Sequence, residues 1–202
     1  MKNFGKFYRY IVRDRNSILL LINIFNGNIF LDKRKIQLKK WLDIFNIIEL
    51  NNKVRPNLND SWISGLIDAE GCFNSNIFQR KTMKLKYQIK LRFMIDQKDC
   101  LNNMLYLKDV LHLFLTYRRC KNNTKNMHRI ESNSLIKIPL IINYLDKFNL
   151  KTKKKESYYK WKEIYKMILD KQHLNEDGLK NIRNLSKQIN IITSQNKKIG
   201  NK

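Results

Sequence analysis

Two carboxylates close a short apolar segment, and their position is the clearest sign of chemistry in the chain. Residues 61–71 read SWISGLIDAEG, and Asp68 and Glu70 fall in the last turn of the helix that this segment predicts. Acidic side chains there oppose the helix macrodipole, at a cost of about 0.3–1 kcal/mol each. A divalent cation held by Glu70 would offset this repulsion, because carboxylate oxygens are the ligands that Mg²⁺ prefers. In the alternative, Asp68 only caps the turn that follows.

The same segment is rich in small residues. Ser64, Gly65 and Ala69 suit the close approach of a second helix, with the two backbones nearly in contact. The chain has six glycines and two prolines, and Ala69 is its single alanine. Residues with G/C-rich codons are therefore scarce, as in many organellar genomes and some nuclear ones. Small residues kept against this bias indicate a function.

The charge balance indicates a polyanionic partner. The chain contains 41 Lys and Arg against 17 Asp and Glu, a formal net charge of +24 over 202 residues. Nucleic acid or an acidic membrane face would relieve the self-repulsion of such a surface. The cations do not lie on one amphipathic helix, and the apolar run at residues 18–22 is too short to span a bilayer. We therefore expect nucleic acid and no membrane.

Cysteine and histidine usage disfavours metal and disulfide scaffolds. Cys72, Cys100 and Cys120 are far apart, and their odd number argues against a disulfide framework. With three histidines and no paired Cys/His spacing, a zinc site is not expected. A reducing compartment fits this usage.

A long alternating strand could form the binding surface. Residues 84–97 place apolar side chains on one face and, on the other, polar side chains about 6.6 Å apart. The polar set comprises Lys84, Lys86, Gln88, Lys90 and Arg92. Such a basic ribbon fits a major groove. A solvated antiparallel sheet also alternates and is the structural alternative.

The other elements are predicted from apolar periodicity. Residues 6–13 read as a short strand, and Asn16 or Ser17 would cap a helix that ends at Asn26 and Gly27. A second helix carries the stripe Leu38, Trp41, Phe45 and Ile48. After residue 61 the order is helix, strand 72–80, strand 84–97, a helix with the stripe Met104, Leu107, Leu111 and Phe114, strands 116–121 and 127–133, and three further helices. This order predicts an α+β domain with a four-stranded antiparallel sheet.

Residues 62–71 closely resemble the signature of the LAGLIDADG homing endonucleases. Residues 150–156 (LKTKKKE) resemble the closing part of organellar intron-encoded members, and residues 22–28 (INIFNGN) resemble the segment that joins the halves of double-motif members. The resemblance implies an αββαββα half with a saddle-shaped sheet, plus C-terminal helices. In that family two such motif helices pack side by side beneath β-ribbons that grip DNA.

The resemblance also implies site residues. Glu70 would bind a divalent cation, Mg²⁺, at the scissile phosphate, Gln97 would orient solvent, and Lys153 would be the basic residue near the cleavage centre. Phe78 and Met94 stand where polar contacts are usual in the family. The implied nucleic-acid-binding set is Asn74, Asn76, Arg80, Lys86, Gln88, Lys90 and Arg92, extended by Arg118, Arg119, Lys121 and Arg129. Alone, the run 151–155 would equally fit a solvated charge cluster.

One motif is present where cleavage of two strands needs two acids. We expect residues 1–50 to be the remnant of a first half, 51–60 a linker, 61–193 the LAGLIDADG-type domain and 194–202 a frayed basic tail. The second motif would come from a homodimer or a separate chain. Alternatively, the fold binds structured RNA without cleaving, as a maturase-like or mitochondrial-ribosome-associated protein within a ribonucleoprotein. The expected location is organellar, in the mitochondrial matrix.

Overall fold

The computed structural model describes residues 11–51, 55–119 and 126–189, which form seven α-helices and four strands. The elements are α1 (Arg15–Phe25), α2 (Asp32–Phe45), α3 (Trp62–Glu70), β1 (Gly71–Gln79), β2 (Tyr87–Lys98), α4 (Leu101–Val110), β3 (Phe114–Arg119), β4 (Asn126–Ser132), α5 (Ile138–Lys147), α6 (Lys154–Leu169) and α7 (Glu176–Gln188), with a 3₁₀ turn at Gln172–Leu174. From α3 the order is αββαββα followed by two helices, which confirms the predicted fold class.

Local signals explain where α1 begins and ends. Its N-cap is Asp14, whose Oδ1 accepts a hydrogen bond from the Ser17 backbone N–H at 2.8 Å, so the expected cap at Asn16 or Ser17 is wrong. A carboxylate is an equally good cap and also suits the positive end of the helix dipole. The helix ends at Asn26, and Gly27 follows in the left-handed region with φ of 78°.

The apolar stripe predicted for α2 is only partly correct. Leu38 is buried as expected, but its partner in the core is Leu42, while Trp41 is 44% exposed. The helix ends at Phe45 before it reaches Ile48, which is 84% exposed. Of the predicted stripe, Leu38 and Phe45 pack in the small core that contains Ile22 and Leu42. The predicted strand at residues 6–13 lies outside the described residues up to position 10, and residues 11–13 carry no regular structure.

All four strands pair antiparallel in the order β1-β2-β4-β3. β2 begins at Tyr87, so the prediction that Lys84 and Lys86 lie on the strand is wrong. Both belong to the β1–β2 turn, where Lys86 adopts a positive φ of 59° and its carbonyl accepts a hydrogen bond from the Arg80 N–H at 2.7 Å. Phe114, expected on the stripe of α4, instead begins β3 and is 54% exposed.

One face of the sheet is covered by helices α3 to α7. The largest buried side chains are aromatic: the Phe73 ring lies 5.3 Å from Trp161 and 5.5 Å from Tyr158, between centroids. On α6 the apolar stripe Tyr158, Trp161, Tyr165 and Ile168 is buried in full, at 8% exposure or less. Within the described residues, no helix is both long and apolar enough to cross a membrane.

The two N-terminal helices are fastened to this domain through the segment between them. Phe30 is 8% exposed, and its ring lies 5.5 Å from Trp62 and 5.4 Å from Tyr106. The buried Asn103 amide donates to the Phe30 carbonyl at 2.9 Å and accepts from the Asp32 N–H at 3.3 Å. A single side chain therefore satisfies two backbone groups at the start of α2.

Candidate active site and nucleic-acid interface

Glu70 is the last residue of α3, and its side chain is exposed. Gly71 follows at once as the first residue of β1 and pairs with Ile95 of β2. A Cβ on Gly71 would stand 2.7 Å from the Ile67 carbonyl oxygen, so only glycine fits this abrupt change from helix to strand. The carboxylate is thereby held at the junction of the helix and the sheet.

The second carboxylate of the motif has a structural role. Asp68 Oδ2 accepts the Lys151 N–H at 2.6 Å, and Asp68 Oδ1 accepts the Thr152 hydroxyl at 2.7 Å and the Thr152 N–H at 3.3 Å. We call these three bonds the Asp68 clasp. It joins α3 to the loop between α5 and α6, so the expectation that Asp68 caps the next turn is wrong.

A lysine from α6 reaches the carboxyl end of α3. Lys154 Nζ donates to the Ile67 carbonyl at 3.0 Å, which places a cation where the helix dipole is negative. Burial lowers the pKa of Lys154, and the charges of Asp68, Cys72 and Glu70 partly oppose that shift. Lys153, which the family resemblance implies as the basic residue near the cleavage centre, is exposed and precedes α6. Lys154 is turned toward the buried side of α6, since it precedes the buried Tyr158 by one turn.

Glu70 and Gln97, two of the three residues implied as catalytic, line one cavity of about 200 Å³. Lys153 is not among the lining residues. Two cations of α2, Lys33 and Arg34, also line this cavity and were not predicted from the sequence. The complete lining is Leu31, Lys33, Arg34, Glu70, Asp96, Gln97, Lys98, Cys100 and Met127. The start of α2 thus forms one wall of the space beside Glu70.

One side of α3 is bare. Gly65 and Ala69 are exposed and one turn apart, and a Cβ added at Gly65 would meet no atom within 4 Å. Ser64, expected with them at a helix interface, is instead 4% exposed, and its N–H donates to the Tyr144 hydroxyl at 2.8 Å. Because Ser64 is buried and bonded to Tyr144 of α5, it does not lie on the bare side of α3.

The sheet face opposite the helices carries the polar set. Register places Asn74 beside Arg92 and Asn76 beside Lys90. Near the turn, Arg80 Nη1 donates to Gln88 Oε1 at 2.7 Å. Cations at the β1–β2 turn are exposed, Lys86 among them. The polar face is therefore shorter along β2 than predicted, and Lys84 and Lys86 lie in the turn beside it.

Two acids missed by the sequence argument lie on the same face. Asp96 binds Arg129 through two bonds of 2.6 Å, from Nε to Oδ1 and from Nη2 to Oδ2. The hydrogen bonds that Arg129 donates to Asp96 raise the pKa of Arg129, although burial lowers it. Glu131 faces Arg92, with 3.7 Å between Oε2 and Nε. Arg92 and Arg129, two of the arginines predicted to bind nucleic acid, thus already have acidic partners.

The apolar members of this face differ from each other. Phe78 is 41% exposed and pairs with Gln88, whereas Met94 is 7% exposed and lies between Cys72 and Glu131 in register. Arg118 and Arg119 are consecutive backbone positions on β3, and Lys121 lies outside the described residues.

Glu70 suits a divalent cation as one ligand of a shared site. Within the ranges that the structure describes, no group of three or more His, Cys, Asp or Glu could hold a metal ion. Mg²⁺, however, is commonly bound by one or two carboxylates together with substrate phosphates and waters. An exposed carboxylate beside a cationic cavity fits that mode only when a phosphate or a second carboxylate completes the ligand set.

The helix and strand order, the carboxylate at the end of α3 and the polar antiparallel face define a LAGLIDADG-type domain. The sequence model of the family described as LAGLIDADG endonuclease matches residues 63–165. The chain belongs to the LAGLIDADG endonuclease family.

Two curated relatives share much of this chain. Probable intron-encoded endonuclease 4 of Neurospora crassa is 38% identical over 191 residues, which cover 90% of this chain and 33% of that protein. Intron-encoded RNA maturase bI4 of Saccharomyces cerevisiae is 27% identical over 132 residues, covering 62% of this chain and 20% of that protein. The chain spans about a third or less of the length of these two relatives.

Solved structures share the fold. The homing endonuclease I-TnaI matches with a TM-score of 0.60 and 23% identity, over 71% of this chain and 97% of that chain. I-SmaMI, bound to an uncleaved DNA target in the presence of calcium ions, matches with a TM-score of 0.60 and 21% identity, over 76% of this chain and 52% of that chain. The matched part of this chain thus corresponds to nearly all of the I-TnaI chain and to about half of the I-SmaMI chain.

Proposed function

We propose that this chain supplies one half of a site-specific DNA endonuclease that hydrolyses phosphodiester bonds with the help of a divalent cation. The observation that carries the proposal is the position of Glu70. Its carboxylate is exposed, fixed at the start of β1, and shares a cavity with Gln97 next to a polar sheet face. The membership of the chain in an endonuclease family supports the same reaction.

Each residue near Glu70 has a role in this proposal. Glu70 would hold the cation, which would supply Lewis-acid polarisation of a phosphate and a more acidic coordinated water. The Gln97 amide orients the attacking water by hydrogen bonding. Lys153, exposed before α6, offers a positive charge to the phosphate that develops negative charge. Lys33 and Arg34 on the cavity wall add to the positive potential that attracts the phosphate backbone of DNA.

The polar sheet face is the proposed DNA surface. Asn74, Asn76, Gln88 and Lys90 project from paired strands that would lie in a major groove, where amides and cations read base edges. Arg80 and Lys86 at the turn would contact phosphates, which set position and affinity. Arg118, Arg119 and Lys121 would extend the surface toward β3.

The bare side of α3 is the proposed contact with a second motif. Gly65 and Ala69 present no side chain beyond a methyl group, so a second helix of the same kind could approach closely. The second half is either another copy of this chain or a separate polypeptide. Each half would bring one carboxylate, so that each DNA strand meets its own acid.

We propose Mg²⁺ as the cation and the mitochondrial matrix as the location. A neighbour crystallised with calcium ions supports a divalent cation of the oxygen-binding class. Fungal relatives named as intron-encoded, together with the scarcity of Ala, Gly and Pro, support an organellar gene.

A cleavage selection tests this function. The full chain is incubated with Mg²⁺ and a plasmid library of random duplex inserts, and linearised molecules are sequenced. We expect a recovered site to be cut by the wild type and not by Glu70→Gln, with at least a hundredfold loss because the metal ligand is removed. Glu163→Gln, an exposed carboxylate on α6, is the matched control and should cut normally. Equal cleavage by Glu70→Gln would refute the assignment.

RNA binding without cleavage is the second candidate, and the likeness to an intron-encoded RNA maturase favours it. The same basic face would then follow an RNA backbone. Purification of the chain from its native source in mild salt, followed by sequencing of the bound nucleic acid, separates the two. Duplex DNA supports the endonuclease, and stoichiometric RNA supports the maturase-like protein.

A further inference from the structure

The polar face of the sheet is divided electrostatically. Around Met94 lie two arginines and two acids, Arg92, Arg129, Asp96 and Glu131, whose formal charges cancel. We call these four the central patch. Nearer the β1–β2 turn, Arg80 and Lys86 are exposed, and residues 73–95, which include the turn, contain no acid. A basic ribbon of uniform charge, which the sequence predicts, is therefore not what the fold builds.

The two pairs of the central patch differ in strength. Asp96 and Arg129 form a bidentate pair with side chains 26% and 15% exposed, the geometry in which guanidinium and carboxylate bind best. Arg92 and Glu131 are 3.7 Å apart, beyond hydrogen-bond distance, and neither Arg92 Nε nor Glu131 Oε2 has a hydrogen-bond partner. The first guanidinium is committed to its acid, whereas the second is held near its acid only by charge.

We propose that Asp96 and Glu131 are specificity-determining residues that weaken non-specific binding of duplex DNA by repelling phosphates from the central patch. The proposal rests on the DNA-binding function proposed above. Phosphate contacts supply nearly all non-specific affinity, while base-edge contacts supply selectivity. Acids in the centre confine phosphate anchoring to the turn and leave the centre for contacts that depend on sequence.

In a strongly basic protein, a single acid would not ordinarily be expected to control the binding of DNA. With a net charge of +24, one carboxylate more or less changes the total charge little. Position decides the effect, because two exposed charges separated by more than about 8–10 Å are screened at physiological salt. An acid that lies on the binding face should therefore matter, and an acid of equal charge on a helix behind the sheet should not.

Binding of a fluorescent 30-base-pair duplex of random sequence, measured between 50 and 300 mM KCl, tests this inference. Asp96→Asn and Glu131→Gln should each tighten binding by about two- to fivefold. The plot of log K against log salt should steepen by about 0.9, the value for one added phosphate contact. Glu163→Gln makes the same charge change on α6 and should alter neither quantity.

Each outcome decides the question. Unchanged binding in both variants, or an equal gain in Glu163→Gln, overturns the proposal, the second because total charge would then explain the gain. If Asp96→Asn unfolds through loss of its strong pair, Glu131→Gln still gives the answer, since its pair has no hydrogen bond to lose. Failure of the wild type to bind duplex DNA at all would refute the proposed function instead.

Discussion

The N-terminal helices and the domain that begins at α3 are built on different principles. The core of the domain draws on every helix from α3 to α7 and on all four strands. The α1–α2 unit buries mainly Ile22, Leu38 and Leu42, while Ile36 and Ile44 are 65% and 74% exposed. Two short helices with so little buried surface are marginal alone. The α1–α2 unit therefore depends on the domain for its stability, whereas the domain has a core of its own.

The junction between the two regions is narrow. Phe30 and Asn103 make the buried contacts, and beside them lies a groove of about 640 Å³ lined by side chains that include Phe25, Trp41 and Trp62. Because α2 also forms a wall of the Glu70 cavity, loosening this junction would change the surroundings of the carboxylate.

The largest effect should come from the core of the domain. Trp161 is fully buried against Phe73, and Trp161→Ala should destabilise the domain by about 3–5 kcal/mol through lost contacts and a cavity. Urea denaturation followed by circular dichroism measures the loss. Ile136→Ala removes a side chain that is 90% exposed and should change the midpoint very little. A Trp161→Ala loss below 1 kcal/mol would mean that the domain core is not where the stability lies.

A smaller and local effect should follow from cutting the junction. Asn103→Ala leaves the Phe30 carbonyl and the Asp32 N–H without their partner, at a cost of about 1–3 kcal/mol. Hydrogen exchange should accelerate by about tenfold or more in α1 and α2 and stay unchanged in β2, because local opening needs only the lost docking energy. Asn102→Ala, exposed on the same helix, is the matched control. Uniform acceleration across both regions would show that they unfold as one unit.

The smallest expected effect concerns pH within the domain. Burial alone would raise the pKa of Asp146, but hydrogen bonds from Lys162 and Tyr158 outweigh it and lower that pKa. A pKa below the unfolded value of 3.8 means that the ionised carboxylate stabilises the fold above that pH. This contribution is lost as the pH falls through the folded pKa. Since the Asp146 side chain is 41% exposed, we expect it to be under about 1 kcal/mol.

Thermal melts from pH 5 to pH 3 measure this term. Asp146→Asn should melt at a temperature that falls less steeply with acidity than that of the wild type. Asp109→Asn removes a carboxylate that is 73% exposed and should retain the wild-type slope. Parallel curves for Asp146→Asn and the wild type would contradict the assignment.

The fold was predictable where one periodicity governed a whole element. Residues 87–95 alternate strictly, and α6 repeats its aromatic side chains at three and four residues, so both elements were found. The errors fall where local chemistry decides. Lys86 has a positive φ, but the turn contains no glycine or asparagine from which it could be predicted. Helix α2 has apolar residues on two sides, and only its contact with α1 determines which side is buried.

The site was predictable where a linear motif carried it. The motif supplied Glu70 and its glycine, and the family resemblance supplied Gln97, which shares the Glu70 cavity. The Asp96 pair and the Asp68 clasp join residues 33 and 83 positions apart, and no local pattern encodes such contacts. The contact of Lys154 with the end of α3 could have been anticipated, because helical phase turns Lys154 toward the buried side of α6.

The Asp68 clasp also orders events in time. Its acceptor, Asp68, is synthesised before its donors, Lys151 and Thr152, which follow 83 and 84 residues later. At roughly 5–20 residues per second, the helix end waits on the order of 4–17 s for its partners to be synthesised. Until then the carboxylate of Glu70 rests on an unanchored helix end. The last turn of α3 is therefore fully restrained only after the chain has been synthesised past α5.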